Sequence, residues 1–195
     1  MKPTDLLKEE HHGVKMALRV LNQLAGKIAD NPGGDNAAYR DDFARLLEFC
    51  RVFIDKCHHA KEEDVLFPAL IEAGLPSQDG PVQVMLAEHV EGRKLVAEMG
   101  DALARYRSGD IAAVPALTEA AKDYARLLND HIAKEDNVLY PIADAQLSAG
   151  VQNGMIAAFE KIEEERIGIG THERYHEMLK EFKAKYLKQA LRPHP

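Results

Sequence analysis

Hydrophobic side chains recur at every third or fourth position along most of this chain, which is the spacing of one face of an α-helix. Runs of β-branched residues with alternating polarity, which are typical of strands, are absent from the sequence. Leu, Ala, Glu, Lys and Arg dominate the composition, and all of them favour helices. The pattern therefore predicts an all-α protein.

Glycine interrupts this pattern at five places, at four of them together with Pro, Asn, Asp or Ser, and such residues end helices and form turns. The interruptions leave six predicted helices, at residues 4–29, 37–73, 81–107, 111–146, 151–166 and 171–187. Four long helices with short connections are typical of an up-down-up-down four-helix bundle. We therefore predict a bundle domain at residues 1–147 and a C-terminal extension of two helices, at residues 148–195, that packs on it.

Charge and composition exclude several classes of protein. The 195 residues carry a net charge of −7, so we expect neither nucleic acid nor an anionic membrane surface as a partner. No apolar run reaches the ~20 residues that a membrane span needs, and the N-terminus lacks the apolar segment of a secretory signal. Cys50 and Cys57 lie too far apart along one predicted helix to form a disulfide. We expect a cytoplasmic protein with reduced thiols.

An internal repeat identifies the candidate chemistry. Residues 58–68 read HHAKEEDVLFP and residues 131–141 read HIAKEDNVLYP, with seven of the eleven positions identical. A second, weaker similarity relates Glu10-His11 in the first predicted helix to Glu88-His89 in the third. The chain thus reads as two helical hairpins, each with a histidine on its first helix and His-x-x-x-Glu on its second.

Helical phase selects the same polar residues as the repeat. The apolar stripes of the four long predicted helices contain six of them, namely His11, His58, Glu62, His89, His131 and Glu135. His59, whose counterpart in the repeat is Ile132, and Glu63 fall on a neighbouring face that we expect to be exposed to solvent. A single buried histidine is ordinarily explained by one hydrogen bond. Six polar residues on four buried faces each need a partner, and a metal site satisfies all of them at once.

Positions along the helices place the four histidines near one level. His11 lies 18 residues before the end of its predicted helix, and His58 lies 21 residues after the start of the next. The corresponding offsets for His89 and His131 are 18 and 20 residues, so at ~1.5 Å per residue the levels differ by about one turn. Imidazole and carboxylate ligands suit first-row transition metals. We favour two non-haem iron ions with an oxo or hydroxo bridge, with manganese or zinc as the alternatives.

At these residues the chain resembles the hemerythrin-like HHE cation-binding family. The two repeat segments are similar to that family's second-helix and fourth-helix motifs, and EEHH and AEHVEGRKL are similar to its first and third. The resemblance covers residues 4–145 and implies a four-helix bundle around a di-iron centre. It implies as ligands His11, His58, Glu62, His89, His131 and Glu135. It also implies binding of dioxygen, nitric oxide or peroxide, with roles in sensing, iron handling or repair of oxidised iron clusters.

The chain departs from the oxygen-carrying hemerythrins in two respects. Those proteins have a second histidine four residues after the third-helix histidine, where this chain has Arg93, which cannot ligate a metal. They also have an aspartate five residues after the fourth-helix histidine. Asp136 fits that spacing, although the repeat favours Glu135. Loss of one histidine favours redox or sensing chemistry over reversible oxygen carriage. As a replacement seventh ligand we include His172, in the sixth predicted helix.

We therefore expect a non-haem di-iron protein that binds or senses a small oxidant or handles iron. The alternative is a redox enzyme, such as a nitric oxide or peroxide reductase or an oxidase, that uses the same site. The sequence contains no flavin fingerprint and no CxxC motif, so such an enzyme would take electrons from an external donor. The expected protein partner is a second copy of the chain or a redox protein.

Overall fold

The computed structural model describes residues 1–187, and every regular element in this range is helical. Helix α1 spans Pro3–Asp30. Helix α2 runs through residues 37–72, and its successive segments are Ala37–Phe49, Cys50–His59, Glu62–Leu66 and Phe67–Glu72. Helix α3 spans Pro81–Arg107. After a 3-10 turn at Ile111–Ala113, helix α4 runs through residues 114–146, in the segments Val114–Lys134, Glu135–Leu139 and Tyr140–Gln146.

Two further helices follow the first four. Helix α5 spans Ala149–Arg166, and α6 comprises Thr171–Phe182 followed by a π-helical turn at Lys183–Leu187. The predicted all-α class is confirmed, and the six predicted helices agree with the observed ones to within a few residues. Residues 188–195 of the predicted extension lie outside the described part of the chain. No helix within residues 1–187 is long and apolar enough to cross a bilayer.

Both copies of the repeat leave α-helical bonding at the same place. The π-helical turns Glu62–Leu66 and Glu135–Leu139 each end two residues before a proline, Pro68 and Pro141 respectively. Proline has no N–H to donate to the carbonyl four residues back, and its ring clashes with that carbonyl. A wider i→i+5 turn accommodates the proline without ending the helix. A constant period of 3.6 residues therefore does not hold across the repeat.

A polar layer separates two apolar clusters in the interior. On α1, Leu7 belongs to the smaller cluster and Val14 to the larger one, with His11 between them. On α4, Leu128 belongs to the larger cluster and Leu139 to the smaller one, again on either side of the polar layer. Burial of both clusters excludes water from the layer at its two ends.

Helices α5 and α6 each contribute to one of the two apolar clusters. Phe159 of α5 packs in the smaller cluster, and Tyr175 and Phe182 of α6 pack in the larger one. The C-terminal end of α6 is also tied to α2, because Asp42 forms an ion pair with Lys185 and accepts a hydrogen bond from the hydroxyl of Tyr186. The described part of the extension therefore shares the core of the first four helices. The domain division at residue 147 stays a prediction.

Candidate metal centre

The six residues that the repeat and the helical phase select lie together in the polar layer. Each is at most 2% exposed, namely His11, His58, Glu62, His89, His131 and Glu135. Each helical hairpin supplies one pair of imidazoles. The Nε2 atoms of His11 on α1 and His58 on α2 are 3.2 Å apart, and those of His89 on α3 and His131 on α4 are 3.1 Å apart.

The two glutamates connect the imidazole pairs. Glu135 Oε1 lies 2.9 Å from Nε2 of His131, and its Oε2 lies 3.2 Å from Nε2 of His11. Glu62 Oε2 lies 3.4 Å from Nε2 of His89 and 3.9 Å from Nε2 of His58. Each carboxylate therefore reaches one imidazole of its own hairpin and one of the other hairpin.

Two groups of convergent ligand atoms share a carboxylate. One group consists of His11, His58 and Glu135, and the other of Glu62, His89, His131 and Glu135, with the atoms of each group within 4.8 Å of one another. Because Glu135 belongs to both groups, it joins them into one cluster of residues able to hold metal.

Buried oxygen atoms at the centre of the layer form no hydrogen bond within residues 1–187. These atoms are both carboxylate oxygens of Glu135 and Oε2 of Glu62. An unpaired buried carboxylate is strongly unfavourable. A metal cation would satisfy these oxygens, and a donor set of imidazole nitrogen and carboxylate oxygen without thiolate fits first-row transition metals, iron among them.

The outer nitrogen of each ligand imidazole donates a hydrogen bond to a carboxylate. Within the hairpins, Nδ1 of His58 donates to Glu10 at 2.7 Å, and Nδ1 of His131 donates to Glu88 at 2.9 Å. These bonds fix the tautomer, so that the lone pair of Nε2 points to the centre, and they orient the rings.

The other two outer bonds cross between the hairpins. Nδ1 of His11 donates to Asp136 at 2.8 Å, and Nδ1 of His89 donates to Glu63 at 2.6 Å. Asp136 and Glu63 each directly follow a central glutamate in the sequence. Asp136, the alternative ligand by spacing, thus contacts the outer nitrogen of an imidazole, whereas Glu135 contacts the inner ones.

A cation neutralises each outer carboxylate. The four pairs are Glu10 with Lys61, Glu88 with Lys134, Asp136 with Lys15 and Glu63 with Arg93. Lys61 and Lys134 occupy the same position of the repeat, and Lys15 and Arg93 each follow a ligand histidine by four residues. The layer therefore has an approximate two-fold symmetry. Arg93, which cannot ligate, supports His89 through Glu63.

Carboxylates raise the pKa values of His11 and His89. Burial by itself would lower the pKa of His11, but Asp136 and Glu135 raise it to about 9. Burial likewise opposes protonation of His89, but Glu62 and Glu63 raise its pKa to about 9. A metal ion that binds these nitrogens at neutral pH would therefore displace protons.

Comparison with known families agrees with this geometry. The model of the Hemerythrin HHE cation binding domain matches residues 2–143. The chain belongs to the hemerythrin HHE cation-binding family.

The chain is also similar to several individual proteins. An uncharacterized protein of Mycobacterium tuberculosis (strain H37Rv) is 27% identical over 166 residues, which is 85% of this chain and 62% of the relative. An uncharacterized protein of Mycobacterium bovis matches with the same figures. The iron-sulfur cluster repair protein YtfE of Escherichia coli O157:H7 is 33% identical over 94 residues, 44% of this chain and 40% of YtfE. The chain thus spans less than two thirds of the length of these relatives.

Sequence reasoning missed Tyr140 as part of this hemerythrin-type site. Its hydroxyl donates to Oε1 of Glu62 at 2.7 Å and lies 3.4 Å from Nε2 of His11. Burial, followed by the charges of the two glutamates, holds the pKa of Tyr140 well above its usual value, so the hydroxyl keeps its proton. The available signal was the repeat, where the counterpart of Tyr140 is Phe67, which has no hydroxyl.

The expectation that His59 lies on a solvent-exposed face is wrong. His59 is 3% exposed, and its ring stacks on that of His89 with 3.8 Å between ring centroids. The reason is local, because the π-helical segment Cys50–His59 alters the phase on which the expectation rested. Burial and the neighbouring imidazole of His89 lower the pKa of His59 to about 3, so it is neutral. Glu63, expected on the same face, is half-buried and holds His89.

The structure does not bring His172 to the other six candidate ligands. Helix α6 places its ring 4.7 Å from that of His176 and 5.4 Å from that of Phe53, measured between ring centroids. His172 belongs to none of the groups of convergent ligand atoms found within residues 1–187.

Proposed function

We propose that this hemerythrin-family chain binds two iron ions in its polar layer and uses the pair to bind or sense dioxygen, nitric oxide or peroxide, or to handle iron. One observation carries the proposal, which is the convergence of four imidazoles and two carboxylates, each imidazole held from behind by a carboxylate. We also propose that α1 to α4 follow an up-down-up-down order, since that topology gives every helix one imidazole at one level.

The symmetry of the layer supports a division of the ligands between two ions. His11 and His58 would hold one ion, and His89 and His131 the other. Glu135 would join both ions, because one of its oxygens faces each imidazole pair. Six protein ligands do not saturate two six-coordinate ions, so an iron pair would supply redox chemistry and an open position for a small ligand.

The surrounding residues prepare this site for a small ligand. The two apolar clusters exclude bulk water, which strengthens the electrostatic interactions inside the layer. Tyr140 places a protonated hydroxyl beside Glu62 and His11, where it can donate a hydrogen bond. The chain thus offers ligand nitrogens, bridging carboxylates and one neutral donor in a buried site.

The likeness to YtfE favours iron handling among these functions. That relative carries the name of an iron-sulfur cluster repair protein, although the match covers 44% of this chain. A redox enzyme with an external electron donor is the second candidate. Turnover of nitric oxide or peroxide in the presence of a reductant would support the enzyme, whereas stoichiometric binding without turnover would support a sensor or carrier.

Metal analysis of protein purified without oxygen tests the proposal. We expect about two iron ions per chain by elemental analysis and a ligand-to-metal charge-transfer band after exposure to oxygen. His58→Ala should lose at least one ion. The control is His12→Ala, because His12 also neighbours a ligand histidine in sequence but has a side chain that is 77% exposed. A colourless, zinc-loaded protein from iron-rich medium would contradict the proposal.

A further inference from the structure

His59 is a buried imidazole whose two nitrogens lack a partner. Both are inaccessible to solvent, and neither forms a hydrogen bond with any residue in the described range 1–187. Oδ1 of Asp55 lies 3.6 Å from Nδ1 of His59, which is beyond hydrogen-bond distance. Buried polar groups nearly always have a partner. The imidazole of His59 therefore indicates a partner other than a hydrogen-bonding group of residues 1–187.

The surroundings of His59 indicate which partner that is. His59, His89 and His131 form one of the convergent groups, in which one ring nitrogen of each histidine lies within 4.8 Å of those of the other two. We propose that His59 is a seventh protein ligand, on the ion held by His89 and His131. This inference rests on the proposed function, since it requires the metal pair.

The repeat explains why only one ion would gain this ligand. The residue that follows His58 is His59, whereas the residue that follows His131 is Ile132, which is buried and has no ligand atom. The other four histidines and two glutamates fall into equivalent pairs. With His59 bound, the ion at His89 and His131 has three imidazoles, and the ion at His11 and His58 has two. The chain thus supplies from α2 a histidine that the third helix lacks at Arg93.

A small pocket is lined by His59 and by none of the six candidate ligands. It has a volume of about 140 Å³, and its lining includes Arg51, Asp55, Arg93 and Tyr124. A free imidazole molecule added in solution therefore has a route to the place of a truncated His59 side chain.

Mössbauer spectra of the full chain loaded anaerobically with ⁵⁷Fe test the inference. The variant is His59→Ile, which copies the other half of the repeat, and the control is His12→Ala. Wild type should show two doublets of equal area, because its two ions differ in ligand number. His59→Ile should retain two irons but change one doublet and leave the other in place, and His12→Ala should match wild type.

Three results would overturn the inference or its basis. A His59→Ile spectrum that superimposes on that of wild type, with two irons bound, would exclude His59 as a ligand and leave the proposed function intact. If His59→Ile loses one iron, His59→Ala should recover it on addition of imidazole, and failure to recover it would exclude ligation. A wild-type chain that does not bind two irons would overturn the proposed function and this inference with it.

Discussion

Removing the charge behind a ligand imidazole should weaken metal binding, and more at Glu10 than at Glu88. The two glutamates hold equivalent histidines, His58 and His131, but the Glu10 side chain is 6% exposed and that of Glu88 is 18% exposed. Water therefore compensates less for a lost charge at Glu10. Replacement by glutamine keeps the shape and a hydrogen-bond acceptor, and it leaves Lys61 its second partner, Glu163.

The magnitude follows from the role of such carboxylates. Loss of a group that orients a metal-ligating histidine typically costs 10- to 100-fold in metal affinity, or about 1.4 to 2.8 kcal/mol. We expect Glu10→Gln near the upper end of this range, for one of the two ions. Glu88→Gln should lie near the lower end, also for one ion.

An anaerobic competition titration of ferrous iron against a chromophoric chelator measures both affinities. The control is Glu9→Gln, because Glu9 directly precedes Glu10 but has a side chain that is 76% exposed and pairs with the exposed His12. Thermal unfolding of each metal-free variant checks that the fold is kept. Wild-type affinity in Glu10→Gln, or an equal loss in Glu9→Gln, would refute the role assigned to the outer carboxylates.

Four further substitutions probe other parts of the structure. Glu135→Ala should reduce occupancy of both ions and Asp136→Ala of one only, by elemental analysis; an equal loss would make Asp136 a ligand. Tyr140→Phe removes the hydroxyl that donates a hydrogen bond to Glu62. In urea denaturation of the metal-free protein, it should lower the free energy of unfolding by about 2 kcal/mol. An unchanged free energy of unfolding would contradict a stabilising role for this hydrogen bond. Burial would raise the pKa of Asp42, but neighbouring cations hold it below its usual value. The ionised carboxylate therefore stabilises the fold fully above pH ~3.9, and this stabilisation disappears as the pH falls through the folded-state pKa. The stability difference between wild type and Asp42→Asn should therefore shrink on acidification from about pH 5 to below 3, and a difference independent of pH would contradict this.

The repeat made the six convergent inner residues predictable from the sequence. In the repeat, position 58 corresponds to position 131 and position 62 to position 135. The helical period places the same residues on the apolar stripes of their helices. Two independent criteria therefore agreed before any tertiary contact was known. The all-helical class was predictable for a similar reason, since the hydrophobic period is a local property of the chain.

The outer groups could not be predicted in the same way. Asp136 and Glu63 bind histidines of the opposite hairpin, and sequence periodicity carries no information about contacts across the bundle. The burial of His59 could not be predicted from a constant helical period, because the chain adopts a π-helical turn there. Lys15 and Arg93 lie at equivalent positions of the two hairpins. The role of these two cations could not be predicted, because it depends on their carboxylate partners, which the structure shows.

The two halves of the layer differ in ways that should distinguish the two ions. Tyr140 stacks on His11 with 5.6 Å between ring centroids, and its counterpart Phe67 stacks on His89 at 5.8 Å, so the rings are equivalent but only one carries a hydroxyl. His59 lies on the side that lacks the hydroxyl. If His59 binds the ion at His89, a small ligand should bind the opposite ion, where a coordination position stays open and Tyr140 can donate a hydrogen bond. A duplicated, nearly symmetric ligand set would thus give one ion held by an additional ligand and one ion open to chemistry.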